Sequence, residues 1–128
     1  DRLCYRPFLA PSSAAELADL VVCTGGIGAC YSNLRYGIPS LVVPMQPEQA
    51  SNGIHFRQAR CGLTLTANLA YNGWPGEYAN AFDPGEFGQA LDSALERPGQ
   101  FTGLAPLAAA LRTCDTRAKF MAAVGGVV

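Results

Sequence analysis

The residues best suited to chemistry are Cys23-Thr24-Gly25-Gly26-Ile27-Gly28-Ala29, where three glycines follow the apolar run Leu20-Val21-Val22 and lead into a helical pattern. A strand that feeds a glycine turn and then a helix N-terminus aims several backbone N–H groups at one place, beside the positive end of the helix dipole. Such an arrangement is a cradle for phosphate. A second polar cluster, Pro44-Met45-Gln46-Pro47-Glu48-Gln49 with Asn52 beyond it, follows the apolar run Ser40 to Val43 and offers groups suited to hydroxyls. Each cluster also has a plainer reading. Glycines serve close packing of strand against helix, and Glu48 is a favourable charge at a helix start.

Both clusters need strands that end at one edge of a sheet, and the chain supplies the pattern. Leu20 to Cys23 reads as a brief strand; Ile27, Cys30, Tyr31 and Leu34 then fall at helical spacing until Gly37 supplies a stop. Ser40 to Val43, bracketed by Pro39 and Pro44, reads as a central parallel strand covered on both faces. A helix from about Glu48 to Ala59 leads through Gly62 into the strand Leu63-Thr64-Leu65. This rhythm predicts an α/β fold, a Rossmann-like parallel sheet with flanking helices, in which ligands bind beyond the carboxyl ends of the strands. A nicotinamide site is disfavoured, because Tyr31 occupies the third glycine position of G-x-G-x-x-G.

Before this core, Arg2 to Leu9 is β-rich, and Ser13-Ala14-Ala15-Glu16 is a capping-box pattern that predicts a short helix over 13–18. After it, residues 66–83 read as a long loop in which Trp74, Tyr71 and Tyr78 most commonly would act as anchors, the alternatives being stacking on a sugar or covering an interdomain face. Residues 84–128 read as helices. Asp83-Pro84-Gly85-Glu86 starts the first, with Phe87, Leu91, Ala94 and Leu95 as its apolar stripe; Leu104, Leu107, Ala108 and Leu111 suggest a second, and Phe120, Met121 and Val124 a last one. The whole, 1–128, is expected to be one domain, with 1–65 as its recognisable core.

Composition narrows the functional classes. The chain is 49% hydrophobic and 15% charged with a formal charge of −1, which describes a globular protein and argues against nucleic acid as a partner. Five cysteines form no C-x-x-C pair, and His55 is the one histidine, so no metal site is expected. The cysteines read as reduced, mostly buried hydrophobes, which points to the cytoplasm, with membrane association only through a partner. His55 reads as a surface or packing residue.

The run from Ala18 through Ala29, continued by Tyr36-Gly37-Ile38-Pro39-Ser40-Leu41-Val42-Val43-Pro44 to Glu48-Gln49 and Asn52, resembles the C-terminal donor-binding domain of GT-B glycosyltransferases. The likeness is to the nucleotide-sugar branch of UDP-glycosyltransferase type, with MurG-like enzymes more distant, and covers roughly residues 2–65. It implies that the Thr24-Gly25-Gly26-Ile27-Gly28-Ala29 turn receives the diphosphate of a UDP- or TDP-sugar, that Glu48 and Gln49 meet the sugar, and that Phe8 and Leu9 pack the base. Three positions depart from the family pattern. Thr24 replaces a common histidine, Ala29 a common hydroxyl residue, and Ser32 stands where a ribose-binding glutamate is often found.

The resemblance also implies what lies elsewhere. The acceptor site and general base belong to a separate N-terminal domain, no cofactor is required, and the chain alone should bind UDP or TDP without transferring sugar. The two strands that open the family's donor domain have no counterpart in this sequence, so the chain reads as a fragment, the donor half of a split enzyme, or a rearranged sheet. An exposed strand edge would then favour a partner chain or a homodimer. The competing expectation is a non-catalytic or regulatory module that keeps the fold.

Overall fold

A computed structural model describes residues 5–7, 10–15, 17–71 and 78–114. Its first helix, α1 (Pro11–Ala15), begins earlier than the capping-box pattern indicated, with Pro11 at the first helical position, where a missing N–H costs nothing. Glu16, the far end of that pattern, lies outside the described residues, as do Arg2 to Cys4, Phe8, Leu9, Trp74 and the expected helix around Met121.

The sheet is built from β1 (Val21–Cys23), β2 (Ser40–Val42) and β3 (Gly62–Thr64), all parallel, in the order β1-β2-β3. Helix α2 (Ile27–Tyr36) links the first pair and α3 (Pro47–Gln58) the second, which is the expected α/β arrangement of a parallel sheet flanked by helices. Strand β2 is central, as its unbroken apolar run requires, and Ser40, Leu41 and Val42 are all fully buried. Burial of side chains such as Leu41 and Leu65 contributes about 1.5–3 kcal/mol each.

Helix α2 stops where Gly37 adopts φ 73°, a left-handed turn that glycine enters without strain. The N–H groups of Gly37 and Ile38 return to the carbonyls of Leu34 (3.1 Å) and Asn33 (2.9 Å). On the buried side of the same helix, Asn33 Nδ2 donates to Ser40 Oγ at 3.0 Å, pinning α2 to the start of β2.

Residues 69–71 and 78–80, expected within a loop, instead pair as an antiparallel ribbon, β4 (Leu69–Tyr71) with β5 (Tyr78–Asn80). The ribbon escaped detection because its strands are three residues long and flanked by asparagines, which strands disfavour. Helix α4 (Pro84–Glu96) follows and packs on β2 and β3; after a 3-10 turn at Pro98–Gln100, α5 (Leu104–Thr113) packs on α2. The core joins Cys30, Phe56, Cys61, Ala94, Phe101 and Leu104. Leu95 does not complete the apolar stripe of α4; it is 55% exposed, whereas Ala94 is buried.

Candidate functional site

Strand register sets the site. Cys23, Val42 and Thr64 are level across the sheet, so the segments after β1, β2 and β3 all leave from the same edge. The glycine turn and the Pro44–Gln49 segment therefore lie side by side at the carboxyl edge of the sheet, where parallel sheets bind ligands.

The three glycines of the first turn do different things. Gly25 has φ +87°, and a Cβ there would lie 2.6 Å from Val42 Cγ1 and 3.0 Å from the Gln49 backbone oxygen. Packing and backbone conformation together require glycine at that position. Gly26 and Gly28 are free of both constraints: neither has a positive φ, and a Cβ at either would meet nothing within 4 Å.

Gly26 is the N-cap of α2, and no side chain caps the helix or places a carboxylate in its first turn. The helical ladder begins with the N–H of Cys30, which bonds the Gly26 carbonyl at 3.0 Å. The preceding N–H groups of Ile27, Gly28 and Ala29 stand outside that ladder, and all three residues are exposed. Thr24 is exposed at the entrance to the turn. The result is an open anion-attracting face, not a closed cavity.

The second segment is tightly bonded. Glu48 and Gln49 occupy the first turn of α3, and Gln49 Oε1 accepts the Met45 N–H at 2.8 Å. Asn52 Nδ2 donates to the Gly25 carbonyl at 2.9 Å and to Glu48 Oε1 at 3.3 Å, joining α3 to the glycine turn. The structure thus brings Gly25, Glu48, Gln49 and Asn52 together. Ser32 is half-buried in α2, and Phe8 and Leu9 lie outside the described residues.

Two thiols lie beside the cradle. Burial, reinforced by the negative forms of Cys23 and Glu48, pushes the Cys30 thiol up to about 11. Burial also raises Cys23, against a lowering hydrogen bond with the Gly25 backbone. At neutral pH both are uncharged, so neither repels an anion at the α2 N-terminus. His55 is exposed on α3, where it lines a groove of about 240 Å³ with Ile27, Cys30, Tyr31, Leu34 and Phe56. Among the described residues, no three His, Cys, Asp or Glu side chains gather to hold a metal, and no helix is long and apolar enough to cross a membrane.

One polar residue of this edge escaped the sequence reading. Asn80, at the end of β5, donates from Nδ2 to the Pro44 carbonyl at 2.6 Å, while its Oδ1 accepts the Asn68 N–H at 3.0 Å. The signal available was an asparagine closing a strand, a residue type that seeks backbone partners.

No family model and no curated protein matches the chain in sequence. Among solved structures, it is similar to the glycotransferase of kitacinnamycin, with a TM-score of 0.61 and 20% identity over 82% of this chain. The chain spans 24% of the length of that protein. It therefore has a GT-B-like fold, matched distantly and in part to a glycosyltransferase.

Proposed function

We propose that this chain binds the nucleotide-diphosphate-sugar donor of a glycosyltransferase whose acceptor is held by a separate domain. The observation that carries the reading is the pair Gly26 and Gly28. Their glycine identity is demanded neither by backbone angle nor by a packed neighbour, and both border three N–H groups at an uncapped helix N-terminus. Space left open around unused donors is what a diphosphate needs.

In this account the N–H groups of Ile27, Gly28 and Ala29 hold the diphosphate, with the Thr24 hydroxyl as a further donor. As the bond to the sugar breaks, negative charge grows on the departing diphosphate, and fixed donors with the helix dipole stabilise it. Glu48 and Gln49 face the sugar. A general base and the acceptor come from outside the chain, in keeping with a cradle that lies open on the surface. UDP- and TDP-sugars are the proposed donors.

A non-catalytic nucleotide-binding module is the second reading. It is favoured by the internal bonds of Glu48 Oε1 and Gln49 Oε1, which leave fewer atoms for a sugar. Titration calorimetry with UDP, TDP and GDP tests the shared part of both readings, with binding of UDP or TDP expected. A folded sample that binds none of the three overturns it. Supplying UDP-glucose with an acceptor domain then separates enzyme from module.

A further inference from the structure

We infer that Asn80 is a positioning residue for the sugar-facing half of the site, acting through the Pro44–Met45 peptide to fix which end of the Gln49 amide faces the ligand. The inference rests on the donor-binding reading above. It begins with the fact that Pro44 O and Met45 N–H belong to one planar peptide unit.

Both edges of that peptide are held. Its carbonyl accepts Asn80 Nδ2 at 2.6 Å, and its N–H donates to Gln49 Oε1 at 2.8 Å. Asn80 is itself oriented from behind, because the Asn68 N–H donates to its Oδ1 at 3.0 Å and Ala81 N–H bonds the Asn68 carbonyl at 3.3 Å. A backbone carbonyl only accepts and a backbone N–H only donates, so these partners fix the orientation of both side-chain amides. Every bond in the chain from Asn68 to Gln49 runs donor to acceptor in the same sense. Successive amides polarise one another in such a row, which strengthens the last donor.

The last donor is Gln49 Nε2. With Oε1 committed to Met45, Gln49 offers the ligand N–H groups, suited to acceptor oxygens of a sugar. The sheet ladder does not fix this peptide. Leu65 N–H bonds the Val42 carbonyl and Val43 N–H the Cys23 carbonyl, and the ladder goes no further along this segment. Beyond Val43 the β4–β5 ribbon takes over through Asn80. An element first read as loop thus acquires a specific task, the orientation of a group at the glycosyl end of the crevice.

The test compares UDP with UDP-glucose by calorimetry on the full chain and on Asn80→Ala, Asn80→Asp and Gln49→Glu variants. Asn80→Asp keeps an acceptor for Asn68 but sets a carboxylate oxygen against the Pro44 carbonyl, so it breaks the relay at that bond by repulsion. UDP affinity should be unchanged in the two Asn80 variants, while the extra affinity for UDP-glucose falls about tenfold in all three, the scale of one lost hydrogen bond. Combining Asn80→Ala with Gln49→Glu should cost no more than Gln49→Glu alone, since both act through one donor. Equal losses for UDP and UDP-glucose, no loss at all, or additive losses in the double variant would each overturn the assignment.

Hydrogen exchange at the Met45 amide gives a second readout that does not depend on any ligand. Faster exchange at Met45 in Asn80→Ala, with Val43 unaffected, supports the relay, and unchanged exchange refutes it. A parent chain that binds no UDP defeats the donor reading while leaving this measurement to decide the relay.

Discussion

Helices α2 and α4 both start beside glycines, yet their first turns are completed in opposite ways. At α4, Asp83 Oδ1 accepts the Gly85 N–H at 2.8 Å, Pro84 has no N–H to satisfy, and Glu86 adds a carboxylate. Glu86 in turn receives the N–H and hydroxyl of Thr66 at 2.9 and 2.8 Å. At α2 the cap is Gly26, with no side-chain bond and no acid in the turn. The same chain therefore finishes one helix for stability and leaves the other short of acceptors. A glycine cap in place of aspartate costs a few tenths of a kcal/mol, a cost that an anion bound at α2 would offset.

The largest way to disturb this comparison is to break the turn that holds α2 in place. Gly25→Val forces a side chain into Val42 at a φ that only glycine tolerates, and should cost about 2–4 kcal/mol in urea unfolding. A loss under about 1 kcal/mol would show that the turn is less constrained than its contacts indicate.

A charge can also be created at α2 by pH. Folding raises the Cys30 thiol above its ordinary value, so the native state holds that proton more tightly than the unfolded chain. Its contribution is therefore complete below about pH 9 and is lost as pH rises through about 11, by up to roughly 3 kcal/mol. Cys30→Ala should flatten that part of the stability profile. An identical slope in the variant would assign the effect to other groups.

Gly28→Val probes the open side of the cradle. Nothing lies within 4 Å of the new Cβ, so stability should change by less than about 1 kcal/mol while UDP affinity drops at least about tenfold. Retained affinity would mean that the phosphate approaches from elsewhere. The mirror experiment, Asp83→Ala, should cost about 1 kcal/mol and leave UDP binding unchanged.

The contrast also explains what could be read from the sequence. The α2 and α4 starts, the Gly37 stop and the burial of Leu41 and Val42 follow from local patterns of glycine, proline, acid and apolar residues, and the structure contains them all. The glycine turn ahead of α2 was legible because strand, glycines and helix are consecutive in sequence. The bonds of Asn80 and Asn52 span 36 and 27 residues, and no local pattern announces partners at such separations. For the same reason, the glycine run did not distinguish Gly25, required by packing, from Gly26 and Gly28, whose surroundings are open.

The central claim is that α2 lacks an N-terminal acceptor because a diphosphate provides one. Gly26→Asp gives α2 the kind of cap that α4 already has, and Gly26 has φ −61° and ψ 146°, angles that aspartate adopts freely. Urea unfolding and UDP calorimetry on this variant and its parent give the most direct test. The account predicts stability that is unchanged or higher by a few tenths of a kcal/mol, together with a loss of UDP affinity of at least about tenfold. A more stable variant that binds UDP as tightly as the parent would contradict it.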